Sequence, residues 1–335
     1  MTTPSSSSLP SPPSSAPPGS GAAPARSGAH RGTDVALLLV ALVWGTSYLA
    51  AKDATDVLPV PVVLLARYGV AAVACAAVVL ARPGRRLPTR NEAAAGTLLG
   101  VTQAAVLVLE TYGVAHTTAA NAGLLISLTI MLTPVLDSVG GRRLPGAFFA
   151  AAGLCVAAVG LLVSGSGAHR PGAGDLLVLA AAAVRAGHVV LVGRCAARRP
   201  LRPLHLTAVQ LAVGTALLAV PAAASGAGPR LAAADARTWT ALACLGLLCS
   251  VFAFLAQTWA VQRTSATRAS LLLGTEPVWA ALAGVGLGGD PLTAATAAGA
   301  ALMVAGTYWG QGIERAHRVR ESGRAPAERA AGQAP

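Results

Sequence analysis

Charged side chains are scarce in this chain. Only 11% of its 335 residues are Asp, Glu, Lys or Arg, whereas 54% are hydrophobic, and the mean hydropathy is +0.61. A soluble globular domain carries about a quarter charged residues, because its surface must be hydrated. The composition therefore excludes an ordinary soluble protein and predicts a chain that lies mostly within a membrane.

Cysteine pairs and catalytic motifs are lacking as well. The five cysteines form no CxxC pair, and four of them lie inside apolar runs, which is typical of packing residues and not of disulfides or zinc ligands. No HExxH string and no nucleotide-binding motif occurs, so direct use of ATP is not indicated. We expect no metal and no cofactor. The cysteines are Cys75, Cys155, Cys195, Cys244 and Cys249.

The positive charge is distributed as membrane topology requires. The net charge of +12 is spread over short arginine clusters between apolar runs, which argues against a nucleic-acid partner. If the N-terminus is cytoplasmic, 19 arginines fall in cytoplasmic segments and three (Arg170, Arg230 and Arg237) in outer loops. Cytoplasmic loops of membrane proteins are enriched in this way. We therefore predict a multi-pass protein of a bacterial-type inner membrane with both termini in the cytoplasm.

The two ends of the chain differ from the rest. Residues 1–33 are rich in Ser, Pro, Gly and Ala, which predicts a disordered cytoplasmic tail and not a cleaved signal peptide. Residues 311–335 are polar, and we interpret them as a second cytoplasmic tail, either disordered or a frayed helix.

Ten apolar runs are each long enough to span a bilayer, which takes about 20 helical residues. Helix is expected because each backbone group in lipid must be satisfied within its own segment, and the runs lack strand-like alternation. The predicted helices lie near 35–54, 61–80, 93–112, 117–137, 146–164, 175–193, 204–223, 239–261, 266–287 and 292–310.

An internal repeat divides these helices into two sets of five. Arg90 and Thr117 recur 147 positions later as Arg237 and Thr264, and a glycine pair recurs as well. Five is an odd number, so the second set enters the membrane upside down, as in transporters with inverted repeats. We predict an all-α integral membrane fold with repeats at 34–165 and 174–310, a substrate site between them, and alternating access. The glycines, expected to serve close helix packing, are Gly153, Gly160, Gly299 and Gly306.

Several segments together resemble the EamA branch of the drug/metabolite transporter superfamily. They are WGTSYLAAK (44–52), LLARYGVAA (64–72), TTAANAGLLISLTIMLTPVL (117–136), the stretch 172–194, the block 257–292 and the closing TAAGAALMVAGTYW (296–309). The resemblance implies a permease for small metabolites, often an exporter of amino acids or drugs. The chain departs from the family pattern at Arg142 and Arg143, where an acidic residue is usual, and at Arg185, where Trp is usual; Asp290 keeps the acid of the matching loop.

Two ionisable residues lie in the middle of predicted spans, where a charge costs about 2.5–3.5 kcal/mol. Arg185 is suited to grip a substrate carboxylate, because its planar guanidinium donates two parallel hydrogen bonds. Glu276 is a candidate ligand for a substrate amine or for a coupling proton. Alternatively, the two residues form a structural ion pair. Pro277, which follows, is predicted to distort the helix and free a carbonyl near the site.

Trp44 and Trp279 are further candidates for the substrate site, either as aromatic walls of the cavity or as packing residues. Arg67 is another candidate, either as a cavity residue or as one whose side chain snorkels to the interface. His188, one turn beyond Arg185, is a possible proton acceptor.

Residues assigned to gating or to support of the site are more peripheral. Lys52 lies near the outer end of the first helix as an anchor or gate. Glu110 and Gln257 are equivalent under the repeat and are expected near opposite mouths, as gates or helix caps. Asn121 is expected to form an interhelical hydrogen bond.

The predicted function is a secondary transporter that exports a small metabolite. An importer or exchanger of an anionic metabolite is the main alternative, and proton antiport, exchange and facilitated diffusion are all compatible with the residues. Two other classes are weaker. An intramembrane aspartyl protease is suggested by GAGD at 172–175, but this needs a second intramembrane Asp. A receptor or scaffold would be expected to carry larger soluble loops. The partners are lipid, substrate and possible protons, and the oligomeric state is not encoded in any pattern.

Overall fold

The computed structural model describes residues 26–81, 87–138, 144–165, 172–198, 201–263 and 272–331, and within these ranges all regular structure is helical. Seven of the described helical stretches are long and apolar enough to cross a membrane, and Gly146–Leu162 is a shorter apolar helix. The prediction of an all-α membrane protein is thereby confirmed. The start of the predicted ninth helix (266–271), Thr264, and Arg142 and Arg143 lie outside the described residues.

The first eight helices cover the first seven predicted runs. They are α1 (Arg26–Val57), α2 (Val60–Ala81), α3 (Arg90–Ala115), α4 (Ala119–Ile126), α5 (Thr129–Ser138), α6 (Gly146–Gly165), α7 (Ala173–Arg198) and α8 (Pro203–Ala224). The predicted run 117–137 forms two helices. A tight turn at Ser127 and Leu128 separates them, and the Ser127 hydroxyl donates to the Leu124 carbonyl.

The remaining helices include one with a widened turn. After the short α9 (Ala227–Ala233), α10 (Ala236–Ala243) continues through a π-helical segment (Cys244–Phe252) into α11 (Ala253–Arg263). The last two helices are α12 (Glu276–Gly286) and α13 (Ala294–Ala331). Asp235 begins α10 by accepting a hydrogen bond from the Thr238 amide, as an N-cap aspartate does.

The helices at both ends are longer than the apolar runs. α1 begins at Arg26, within the predicted tail of residues 1–33, and α13 continues to Ala331, through most of the predicted tail of residues 311–335. A helix nucleated in the bilayer extends into water at little cost, because each added residue gains one backbone hydrogen bond. Of the two alternatives for the C-terminal end, the helix is therefore the one observed up to Ala331.

Helices from the two halves of the chain pack against each other and not only within a half. α1 packs against α12, α5 and α4 pack against α7, α3 packs against both α7 and α8, and α6 packs against α13. The main buried core spans both halves, with Val40, Leu124 and Leu245 among its fully buried members. Residues distant in sequence are therefore brought together in the middle of the bundle.

Two of the four repeat glycines mediate close packing. A Cβ atom on Gly299 would lie 2.9 Å from Cγ of Leu162, and one on Gly306 would lie 2.7 Å from Sγ of Cys155, so α13 approaches α6 at both positions. A Cβ atom on Gly153 or Gly160 would meet no heavy atom within 4 Å. The packing prediction is wrong for these two, because their face of α6 points away from α13.

Candidate functional site

Three ionisable side chains meet in the middle of the bundle. Arg185 lies at the centre of α7, and its Nη1 atom is 3.5 Å from Oε1 of Glu276 and 4.0 Å from Oε2 of Glu110. The side chains are only 19%, 11% and 11% exposed, respectively. The three residues come from α7, α12 and α3, so the cluster joins both halves of the chain. We call Arg185, Glu276 and Glu110 the central charge cluster.

Trp44 of α1 covers one side of the guanidinium. The Cζ atom of Arg185 lies 5.0 Å from the centroid of the indole ring, within the range of a cation–π interaction. The indole nitrogen donates a 3.1 Å hydrogen bond to the Cys249 carbonyl in the π-helical segment, and Phe254 packs edge-on at a centroid distance of 6.0 Å. These contacts fix the ring, so the face presented to Arg185 is held in place.

Tyr48 belongs to the site although it was not predicted from the sequence. It is 2% exposed, and its hydroxyl donates a 2.6 Å hydrogen bond to Oε1 of Glu276. A signal for it was present, since Tyr48 follows Trp44 by four residues and so lies on the same face of α1. Tyr48 and Arg185 therefore both contact the Oε1 atom of Glu276.

Glu276 is the first residue of α12 and is not in the middle of a continuous helix. A turn at Gly274 and Thr275 precedes it, and Pro277 occupies the first helical turn. The predicted span 266–287 is thus interrupted by a turn immediately before Pro277, as expected of a proline that distorts a helix. Proline is well tolerated at the helix start that follows, where its missing N–H has no intrahelical partner. The position also favours Glu276, because the N-terminal end of a helix stabilises negative charge.

Gly45 allows α1 to lie directly on the start of α12. A Cβ atom at this position would lie 2.5 Å from Cβ of Trp279 and 2.8 Å from both the Glu276 carbonyl oxygen and the Ala280 nitrogen. The absence of a side chain therefore sets the distance between the two helices. Because Trp44 and Tyr48 flank this contact on α1, it also sets how both side chains meet Glu276 and Arg185.

Arg67 faces the interior, although its sequence position was also compatible with snorkelling. It is 5% exposed, and its Nε atom donates a 3.0 Å hydrogen bond to the Ser250 hydroxyl, which donates in turn to the Leu245 carbonyl five residues earlier. This hydroxyl bond spans the widened turn of the π-helical segment. Arg67 also interacts electrostatically with Glu110. The middle of the bundle thus holds two cations and two carboxylates.

Three predicted residues make contacts away from the cluster. His188 is buried, and its Nδ1 atom lies 2.7 Å from the Thr102 hydroxyl of α3. Trp279 is partly buried and donates to the Thr275 hydroxyl over 3.3 Å, next to the start of its own helix. Asn121 donates to the Leu162 carbonyl over 3.4 Å and thereby links α4 to α6.

Lys52 and its neighbours join several helix ends. The Lys52 ammonium donates to the carbonyls of Thr117 (2.9 Å) and Val114 (3.4 Å), at the C-terminal end of α3, where a cation is favourable. The Thr117 hydroxyl donates to Asp175 at the start of α7 over 2.6 Å. Asp290 accepts from the Ala120 amide at the start of α4 over 2.8 Å. These bonds hold the ends of α1, α3, α4, α7 and α12 together.

Glu110 and Gln257 occupy different surroundings despite the repeat. Glu110 is buried beside Arg185 and belongs to the central charge cluster, deeper than the mouth position expected for it. Gln257 is half-buried in α11, and the ion-pair partners of Arg185 within the described residues are both glutamates. The structure therefore does not place Glu110 and Gln257 as a symmetric pair of gates.

Comparisons with known proteins identify relatives over most of the chain. The model of the EamA-like transporter family matches twice, over residues 32–164 and 172–309. A protein of Streptantibioticus cattleyicolor named "Probable terminal-alkyne amino-acid exporter" is 31% identical over 278 residues, which cover 81% of this chain and 90% of that protein. A solved structure described as "Crystal structure of protein" matches with a TM-score of 0.58 at 20% identity, covering 83% of this chain and 95% of that one, which is a likeness of fold alone.

Proposed function

The chain belongs to the EamA-like transporter family, and we propose that it exports a zwitterionic amino acid across the inner membrane by alternating access. Membrane residence and transport of a small molecule follow from the family and from the apolar helices. The observation that carries the proposal for the substrate is the central charge cluster, in which one guanidinium lies between two buried carboxylates.

The charges of the cluster suit a zwitterion. Arg185 offers the donor fork that a substrate carboxylate accepts, and the carboxylates of Glu110 and Glu276 offer acceptors for an ammonium group. With Arg67 included, two cations balance two carboxylates, so a neutral zwitterion adds no net charge to a buried site. A substrate with only negative charge would approach two glutamates without a compensating cation. The amino-acid exporter among the relatives supports the same class.

The proposed architecture is ten membrane helices in two inverted repeats, at 34–165 and 174–310. The two matches of the family model support this division. Helix packing supports it as well, because α1 packs against α12 and the equivalent α7 packs against α4 and α5. Rocking of one repeat against the other would open the cluster to each side in turn. The bonds among Lys52, Thr117 and Asp175 would then break when the outer side opens.

The substrate proposal is tested by the extracellular metabolite profile of cells that express the native chain, Arg185→Ala or Arg230→Ala. Arg230 is an exposed arginine of α9, so its variant removes the same charge outside the cluster. We expect an amino acid to be enriched outside cells with the native chain and with Arg230→Ala, but not with Arg185→Ala at matched membrane levels. Equal enrichment with both variants would contradict a role of Arg185 in binding.

The proposed orientation is tested by cysteine labelling in intact cells. Leu87→Cys lies on the predicted cytoplasmic side, where Leu87 is 76% exposed, and Arg230→Cys lies on the predicted outer side. A membrane-impermeant maleimide should label Arg230→Cys directly and Leu87→Cys only after permeabilisation, both above the level of the native chain. The reverse pattern would overturn cytoplasmic termini.

A further inference from the structure

We propose that Glu110 is a proton-binding carboxylate and that a proton and the substrate ammonium compete for it, which couples export to proton entry. The inference rests on the proposed function. It adds proton entry as the energy source for export and assigns proton binding to one residue, Glu110. The geometry distinguishes Glu110 from Glu276, although both carboxylates are buried beside the same arginine.

Several groups make close contacts with the Glu276 carboxylate. It accepts the Tyr48 hydrogen bond at 2.6 Å, lies 3.5 Å from the guanidinium, and occupies the first turn of α12. A proton on Oε1 of Glu276 would weaken the first two interactions and gain nothing at the helix start. Glu276 is therefore the carboxylate of the cluster whose contacts are already filled.

Glu110 has much less support for a negative charge. Its ion pair with Arg185 is 4.0 Å long, which is longer than a hydrogen bond, and Glu110 lies in the body of α3 and not in a first helical turn. Glu110 is nevertheless buried, with a relative exposure of only 9%. A buried carboxylate whose neighbouring cations, here Arg185 and Arg67, lie beyond hydrogen-bond distance gains most by taking either a proton or a new cation.

The surroundings of Glu110 contain few other groups that exchange protons near neutral pH. His188 of α7 is bound to Thr102, and His205 lies near the start of α8, at the other end of the bundle from the C-terminal half of α3. The α4 helix contains no ionisable residue. Within the part of the chain that the structure describes, the other groups that act on Glu110 are Tyr48 from α1, Arg67 and Tyr68 from α2, Arg185 from α7, Cys249 from the π-helical segment and Glu276 from α12. Lys52 of α1 binds the Val114 carbonyl, four residues further along α3.

The competition gives a balanced transport cycle. In the cytoplasm-facing state, Glu110 releases its proton to cytoplasmic water and accepts the substrate ammonium, while Arg185 takes the substrate carboxylate. In the outward-facing state the zwitterion leaves, and the Glu110 oxygen takes a proton from outside water. The O–H bond is the one covalent bond made and broken. Each cycle moves one zwitterion out and one proton in, so one positive charge enters.

The experiment uses the full chain in liposomes with labelled L-propargylglycine, an amino acid with a terminal alkyne. Liposomes two pH units more acidic inside, with the membrane potential held at zero, drive protons outward, and we expect the native chain to accumulate the probe inside, up to about 100-fold above equilibrium at one proton per substrate. Glu110→Gln should lose this accumulation yet still exchange labelled for unlabelled probe at equal pH, with a raised KM. Asp53→Asn, the same chemical change at an exposed site, should accumulate like the native chain.

Each outcome is decisive. Accumulation by Glu110→Gln, or exchange without accumulation by the native chain, overturns proton coupling at Glu110 and leaves the proposed function standing. Absence of exchange by the native chain overturns the proposed function itself. If Glu110→Gln does not fold, the native chain still tests the competition: acidifying the substrate side by one pH unit should raise the KM for exchange by up to about tenfold. An unchanged KM would overturn the inference.

Discussion

Replacing Gly45 with alanine probes the contact that positions the central charge cluster. The new Cβ atom would lie 2.5 Å from Cβ of Trp279 and 2.8 Å from the backbone of Glu276 and Ala280, whereas ordinary contacts begin at 3.4 Å. α1 and α12 would have to separate by about 0.6–0.9 Å. Two of the three opposing atoms belong to the backbone, so a side-chain rotation cannot relieve the clash.

The expected energy follows from two opposing effects. Overpacking of a closely packed contact costs about 1–3 kcal/mol. Alanine is also favoured over glycine in a helix by about 1 kcal/mol, which offsets part of this cost. Gly69→Ala in α2 is a matched control, because its Cβ atom would meet nothing within 4 Å and the variant gains the helix term alone. We therefore expect Gly45→Ala to be less stable than Gly69→Ala by about 1–3 kcal/mol.

Thermal unfolding of the two purified variants in detergent measures this difference, and the export assay measures its consequence for the site. Gly45→Ala should unfold at a lower temperature than Gly69→Ala and should export less, since Glu276 moves away from Tyr48 and Arg185. Equal unfolding temperatures together with equal export would refute the argument that the close approach at Gly45 sets the geometry of the cluster.

Two further predictions concern single contacts. Tyr48→Phe removes the 2.6 Å hydrogen bond to Glu276. Because hydrogen bonds to charged groups contribute about 1.5–3 kcal/mol, the KM for substrate should rise about tenfold or more in the exchange assay. Tyr308→Phe, at a 38% exposed position, is the control and should leave the KM unchanged. Glu92→Ala removes a carboxylate that is 3% exposed and links α3 to the start of α8, so it should clearly lower the unfolding temperature. Asp53→Ala breaks an exposed ion pair and should change the unfolding temperature little. Equal shifts for the two variants would contradict this ranking.

Parts of the candidate site were predictable from residue type alone. Arg185 and Glu276 stand out because each is a charge within an apolar run, and a charge in lipid must find a partner or a cavity. Their proposed roles in transport stay predictions until export is measured. Tyr48 and the depth of Glu110 were not predicted, because a tyrosine or a glutamate toward the end of an apolar run is equally compatible with the interface.

The membrane residence, the helical class and the family of this protein follow from local features of the chain. These properties depend on composition, on run length and on ordered local motifs, since a helix in lipid satisfies its backbone within its own segment. The packing of the helices, in contrast, determines which charges meet, where the turn before Glu276 lies, and which repeat glycines pack. Helices that are apolar on most sides carry no polar face to reveal their rotation, and so the contacts between Arg185, Glu110, Glu276 and Tyr48 arise only when the helices pack.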